Sequence, residues 1–405
     1  MEHQKNSRIF DRTTPPHIFT LILLTGISAM SMSIFLPSLP SMMVDLKTEY
    51  SIIQLSVSLY LAFTALVQFI IGPLSDRFGR RPTALWSISV FIFASIGCYF
   101  ATSIEVFLAF RMMQAFVAIG QVISRAVVRD IFSQDEAASK IGYVTMGMAL
   151  VPMFAPMIGG MLDDMFGWRS IFIFMTAFGL LLLTVLWFDQ GETANSNGKS
   201  LFEQFQEYPE LFASRRFWGY VLAATFSAGT FFAFLGGAPY VATHVFELSS
   251  SQTGLLFGIP ATGYLVGNLL TGIFSKRLGI NPMILVGASL LTLGMASSLI
   301  LTLMGYESPL VFFGFCILVG LGNGLTLPNA TAGMLSVRPK IAGTASGIGG
   351  AIMIGGGAAL SALAGALLER GNGSYPLQLI MLTSAVLCLI SILYVIQRAK
   401  AITET

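Results

Sequence analysis

Apolar residues run along this chain in long unbroken blocks, without the every-other-residue alternation of strands, and short polar or Pro/Gly-rich breaks separate them. Twelve blocks, at 19–40, 52–73, 82–101, 105–127, 142–162, 170–188, 217–239, 252–274, 282–304, 310–332, 343–367 and 376–397, match the roughly 20 apolar residues of a membrane-crossing helix. Hydrocarbon offers no water to bare backbone groups, so blocks of this length predict helices. The predicted fold is all-α, with twelve transmembrane helices in two six-helix pseudosymmetric bundles. The first block follows charged residues (Lys5, Arg8, Asp11, Arg12) but exceeds the apolar core of a signal peptide, and no small-residue cleavage site follows it. It is expected to be a retained helix.

Composition agrees with the pattern. Of 405 residues 55% are hydrophobic and 10% charged, against about 25% charge in a soluble domain, which excludes disorder, a secreted disulfide scaffold and a soluble enzyme. The net charge of +2 gives no global field for nucleic acid. Cys98, Cys316 and Cys388 stand singly inside apolar blocks, and His3, His17 and His244 are scattered, so no metal site or cofactor is expected. No phosphate-cradling Gly-x-x-x-x-Gly-Lys, nucleophile elbow or His-Glu-x-x-His occurs, which argues against an enzyme or an ATP-driven pump. Of the 22 Lys and Arg residues, 17 fall in loops on the side of the N-terminus, three on the other side and two within the fourth block. This bias predicts that both termini are cytoplasmic.

The longest hydrophilic stretch, Asp189 to Arg216, divides the helices six and six. The expected units are an N-terminal bundle (1–188), a cytoplasmic linker (189–216) and a C-terminal bundle (217–405). Leu201, Phe205, Tyr208 and Phe212 recur in the linker at helical spacing, as in an amphipathic helix on the interface, with a plain linker as the alternative. The loop after the second block, Gly72-Pro-Leu-Ser75-Asp76-Arg77-Phe-Gly79-Arg80-Arg81-Pro82, matches Gly272-Ile-Phe-Ser275-Lys276-Arg277-Leu-Gly279-Ile-Asn-Pro282 at five of eleven positions, 200 residues later. Both copies follow an even-numbered helix, so the halves form a parallel repeat about an axis along the membrane normal. Such halves can rock about a central site.

The first of these loops resembles the signature loop of the major facilitator superfamily. Further stretches resemble its bicyclomycin and chloramphenicol resistance branch of drug:proton antiporters: Phe35-Leu-Pro37-Ser-Leu-Pro40, Arg111-Met-Met-Gln114-Ala115, Arg129-Asp130, Val151-Pro152-Met-Phe-Ala155-Pro156-Met-Ile-Gly159-Gly160, Gly167-Trp168-Arg169, Leu327-Pro328-Asn329 and Ala342-Gly343-Thr344-Ala345-Ser346. The resemblance implies the major facilitator fold and secondary active efflux of drugs or other small molecules across a bacterial inner membrane. A small-molecule substrate, protons and the lipid bilayer are the implied partners, for a chain acting as a monomer. Uptake of a small metabolite such as a nucleoside or organic acid is a second reading on the same fold, and a non-transporting membrane receptor a third.

A charge at mid-bilayer costs from about 2.5 to over 10 kcal/mol, so it persists only where paired or facing a wet cavity. Arg111, Gln114, Gln121 and Arg125 fall within about 80° of arc on the fourth helix, an expected lining of the central cavity, with a structural network around Arg111 and snorkelling of Arg125 as the alternative. Other polar cavity candidates are Ser33, Gln54, Tyr60, Gln68, Asn268, Asn323 and Asn329, and Phe231, Phe232 and Phe234 offer aromatic surface. The resemblance implies an acidic residue on helix 1 where this chain has Ser33, and the nearest acid is Glu105 at the mouth of the fourth helix. A cavity with Arg111 and no carboxylate favours neutral, zwitterionic or anionic substrates. Proton coupling then falls to Glu105, Asp76 or the substrate itself, or is absent. Gly72, Asp76, Arg77, Gly79, Arg80 and Arg129 are gating candidates, with Asp76 expected to meet Arg129 and the start of the eleventh helix. Pro152, Pro156, Gly159 and Gly160 predict a bend or hinge in the fifth helix, and Gly343 to Gly357 a mirror surface on the eleventh, with simple tight packing as the alternative for both.

Overall fold

The computed structural model describes residues 10–12, 14–131, 134–193, 211–338, 342–368 and 373–403, and every regular element among them is helical. Among the described residues eleven segments are long and apolar enough to cross a membrane: α1 (Ile18–Asp45), α2 (Tyr50–Gln68), α3 (Arg80–Phe100), α4 (Ile104–Val128), α6 (Arg169–Asp189), α7 (Arg215–Val245), α8 (Ser250–Leu278), α9 (Ile280–Leu303), α10 (Pro309–Val337), α11 (Ala345–Leu368) and α12 (Tyr375–Ala399). The fifth, α5 (Gln134–Phe166), is a helix of 33 residues that completes two sets of six. An even number of crossings brings both ends to one membrane face, here called the near face.

Local chemistry sets the ends. Ser103, Ser214 and Ser308 each precede a helix and accept the backbone N–H three residues on, and Ser249 forms a reciprocal capping box with Gln252 at the head of α8. The helix of α2 continues to Phe78 and turns into α3 through Gly79 at φ +96°; in the second half Gly279 makes the same turn at φ +85°. Positive φ carries little cost only for glycine, so the repeated glycine of the two loops is a repeated backbone conformation. Proline interrupts α1, which runs as helix to Ser33, tightens to a 3-10 turn at Leu36–Ser38 around Pro37, and resumes at Leu39.

The halves meet along α2 against α11 and α5 against α8. Glycine lets the second pair touch backbone to backbone: a Cβ on Gly160 would collide with the Ser250 carbonyl, and one on Gly254 with the Pro156 carbonyl. Gly159 faces the Ile34 carbonyl of α1 instead. The helix of α5 runs through Pro152 and Pro156 without interruption. The glycine surface expected on α11 is divided, because Gly356 and Gly357 pack on Thr225 and Phe232 of α7 while Gly347, Gly350 and Gly355 border open space. The predicted linker helix falls mostly on 194–210, outside the described residues; beyond it Phe212 stacks on Trp218 at 5.6 Å. The three cysteines are free and buried.

Candidate functional site

Arg111 is the largest fully buried side chain, at 1% exposure, and it sits inside the N-terminal half. Its guanidinium lies 4.1 Å from the Phe35 ring centroid and 4.5 Å from that of Tyr60, held between α1 and α2. Nη1 donates to Gln114 Oε1 at 2.5 Å, and Nη2 to the Ser31 carbonyl at 3.3 Å. Gln114 Nε2 donates to Ser95 Oγ at 2.7 Å, carrying the network into α3. Two desolvated cation–π contacts of about 2 kcal/mol each and hydrogen bonds of about 1.5–3 kcal/mol each to the charged group are of the same order as the cost of burying the charge. Arg111 Nε and the Tyr60 hydroxyl make no hydrogen bond, so the pocket keeps one donor and one hydroxyl in reserve. Arg111, Gln114, Tyr60 and Ser33 thus do not line open space in this conformation: the stripe faces α1 and α2, whose polar and aromatic side chains satisfy it. Ser33 Oγ turns back to the Ala29 carbonyl at 3.0 Å.

Farther along the stripe, Gln121 Nε2 donates to Ser28 Oγ at 2.9 Å and its Oε1 accepts from Gln68 at 3.4 Å, while Arg125 is exposed. The second half repeats this serine–amide pairing with the direction reversed, since Ser227 Oγ of α7 donates to Asn323 Oδ1 of α10 at 2.5 Å. Asn329 is likewise enclosed, accepting from Ser275 and donating to the Leu325 carbonyl. Asn268 is half-buried and donates to its own helix at the Tyr264 carbonyl, 2.8 Å away. Where the first half holds Arg111, the second packs Phe234, Phe257, Phe312 and Phe313, with centroids 4.8 to 6.4 Å apart.

Sequence reasoning passed over the far face. There Asp163, buried at the end of α5, accepts from Ser41 of α1 and from Ser250 of α8, each at 2.6 Å. Asp164 accepts from the Ser251 N–H at 3.0 Å and from its hydroxyl. Gln54 Nε2 reaches the Ser361 carbonyl at 2.7 Å and hydroxyl at 2.8 Å, and Tyr50 donates to the Gly236 carbonyl at 2.9 Å and packs on Tyr240. Every hydrogen bond that joins the halves among the described residues lies on this side. The molecule is therefore latched at the far face. The available signal was the acidic pair at the end of one helix opposite a serine-rich head of another.

On the near face the surroundings of Gly72 and the side chains of Asp76 and Arg129 are not among those described, and with them the expected Asp76–Arg129 contact. Arg77 is exposed beside the Phe78 ring. Arg80 is 8% exposed and pairs with Asp130 at 3.1 Å, tying the α2–α3 turn to the end of α4, and its backbone N–H donates to Glu192 at 2.8 Å.

Comparison with known proteins agrees with this architecture. The model of the family described as Major Facilitator Superfamily matches residues 21–362. The chloramphenicol resistance protein of Pseudomonas aeruginosa is 30% identical over 378 residues, covering 91% of this chain and 89% of its own. Multidrug resistance protein D of Escherichia coli (strain K12) is 27% identical over 368 residues, covering 88% and 90%. A crystal structure of a bacterial homologue of the human lysosomal transporter Spinster, inward-facing and occupied, aligns with a TM-score of 0.70 at 17% identity over 95% of this chain and 96% of that one. That likeness concerns the fold.

Proposed function

The chain belongs to the Major Facilitator Superfamily, and from that premise we propose that it exports drugs or similar small molecules by alternating access, driven by a proton gradient. The one-sided latch carries the reading. All cross-half hydrogen bonds among the described residues join the ends of α2, α5, α7, α8 and α11 at the far face, so exchanging that set for one at the near face moves a central site from one side to the other. The basic bias of the near-face loops supports a cytoplasmic near face in a bacterial inner membrane. Relatives named for multidrug and chloramphenicol resistance support export.

In this cycle Gly72, Asp76, Arg77, Gly79, Arg80 and Arg129 form the cytoplasmic lock of the opposite state, and the pairing of buried Arg80 with Asp130 supports that role by fixing the turn. Of the hinge candidates Pro152, Pro156, Gly159 and Gly160, Pro156 and Gly160 lie on the surface on which α5 moves against α8, while Gly159 seats the helix against α1. Arg111 sets substrate charge: a guanidinium held by two rings, Gln114 and Ser31, with no carboxylate facing it among the described residues, repels cations and leaves neutral, zwitterionic or anionic molecules favoured. Vesicles containing the protein, loaded with a matched series of cationic, neutral and anionic compounds, test this. Efflux of the neutral and anionic members is expected, and movement of the cations alone would contradict it.

A further inference from the structure

The seam between the first and last helix of each half meets the near face differently. In the N-terminal half the chain covers its own seam. The buried Asp189 carboxylate, at the end of α6, accepts the backbone N–H of Phe10 at 3.0 Å and of His17 at 2.9 Å, pinning the segment that leads into α1. The corresponding seam of the C-terminal half, between the start of α7 and the end of α12, is instead a groove of about 300 Å³ lined by Arg215, Trp218, Gly219, Leu222, Ile390 and Tyr394. Gly219 makes its floor, since a Cβ there would collide with Val395 and force the helices apart.

Arg215 lines the mouth, and two more arginines stand near it along α7 and α12. Arg215 is exposed and Arg216 adjoins it, with Nε buried and unbonded. Arg398 stands one turn beyond Tyr394 on the same face of α12. The ion pairs among the described residues are Arg80–Asp130 and Arg169–Asp45, so none of these three is neutralised by an acid there. Deeper along the seam Leu222, Leu387 and Ile390 expose 37%, 36% and 55% of their surface at membrane depth. Trp218 and Tyr394 lie between the two zones, where amphipathic rings favour a bilayer interface. From Arg215 to Leu222 the rise of α7 is about 10 Å, enough for a headgroup and the start of an acyl chain.

A cationic mouth that no acid among the described residues neutralises, above an apolar track, complements an amphiphile with a negative head and a hydrocarbon tail. We propose that this groove binds an anionic glycerophospholipid from the near-face leaflet, with Arg215 on the phosphate, Arg398 beside it and an acyl chain along Leu222 and Ile390. The site lies between α7 and α12, away from the latch and from Arg111, and stands whether or not the chain exports drugs.

Native mass spectrometry of the detergent-purified full chain, titrated with phosphatidylglycerol or phosphatidylcholine, tests the proposal. The wild type should retain phosphatidylglycerol at several-fold lower lipid concentration. Arg215→Gln combined with Arg398→Gln should abolish that preference, Arg215→Lys should keep part of it, and Leu222→Trp, which fills the track, should lower retention of both lipids. Should the double variant not fold, the single Arg215→Lys and Leu222→Trp chains decide the matter. Equal retention of the two lipids by the wild type, or a preference unchanged in these variants, overturns the proposal. So does a groove that takes up lipid only after residues 201–210 are deleted, which would make the acidic linker its occupant.

Discussion

At the same level of each half three helices converge, and the two convergences are filled with opposite chemistry. In the first, α1, α2 and α4 bring Phe35, Tyr60 and Arg111 together; in the second, α7, α8 and α10 bring Phe234, Phe257 and Phe312 together, each about 200 positions later in the chain. Two to three turns away the halves agree, pairing Ser28 with Gln121 and Ser227 with Asn323. A duplicated scaffold thus holds a caged cation on one side and hydrocarbon on the other. Aromatic packing tolerates a substitute of similar volume. A buried guanidinium does not, because its fork geometry and its rings are matched to one group.

The sharpest way to break the comparison is to remove the cation. Arg111→Met strands Gln114 Oε1 and the Ser31 carbonyl and forfeits two ring contacts, a loss of about 3–5 kcal/mol. Thermal unfolding of the purified protein should register it, along with near-complete loss of transport. Arg111→Lys should recover little, since an ammonium can neither stack between the rings nor donate as a fork. Next, Gln121→Leu and Asn323→Leu should cost similar amounts, about 1–2 kcal/mol each from the partner left unbonded; unequal values would show that the shared pair is not equivalent in the two halves. Phe312→Leu should be milder, about 1 kcal/mol for the lost ring contacts, with transport retained.

The smallest effect concerns the far-face latch. At Asp164, beyond the predicted span 142–162, partial burial pushes the carboxyl up, but hydrogen bonds from Ser251, Ser249 and Ser250 outweigh it and hold the group below the usual aspartate range. A lowered pKa means that the ionised carboxylate stabilises the latched state. That contribution is complete above the ordinary aspartate value of about 4 and is lost as pH falls through the lowered one. Thiol labelling of a Ser361→Cys variant should therefore be unchanged from neutral pH to about 5 and rise only in stronger acid. The native cysteines, all buried, give little background.

Much of the fold was legible because membrane helices announce themselves by length and apolarity: each of the twelve predicted blocks falls within an observed helix or its immediate extension. The repeat was legible because Gly79 and Gly279 serve one backbone conformation that only glycine adopts freely. The site was legible in identity but not in orientation. Helical arc put Arg111, Gln114 and Gln121 on one stripe, yet whether that stripe faces the cavity or α1 depends on packing between helices, which spacing along one helix does not encode. Phe35 stood in a quoted motif without a role, because a ring becomes a cation's partner only when another helix delivers the cation. The latch was missed for the same reason. Asp163, Ser41 and Ser250 are ordinary helix-end residues until the halves meet.

The central claim is gradient-driven export through a site that alternates between the two faces. Proteoliposomes containing the protein with its near face outward, given an imposed pH gradient with the lumen acidic, test it directly using a neutral drug supplied outside. The account predicts concentrative accumulation that a protonophore collapses and that Arg111→Met abolishes. Equilibration to equal concentrations whatever the gradient, or accumulation unaffected by the protonophore, would contradict it.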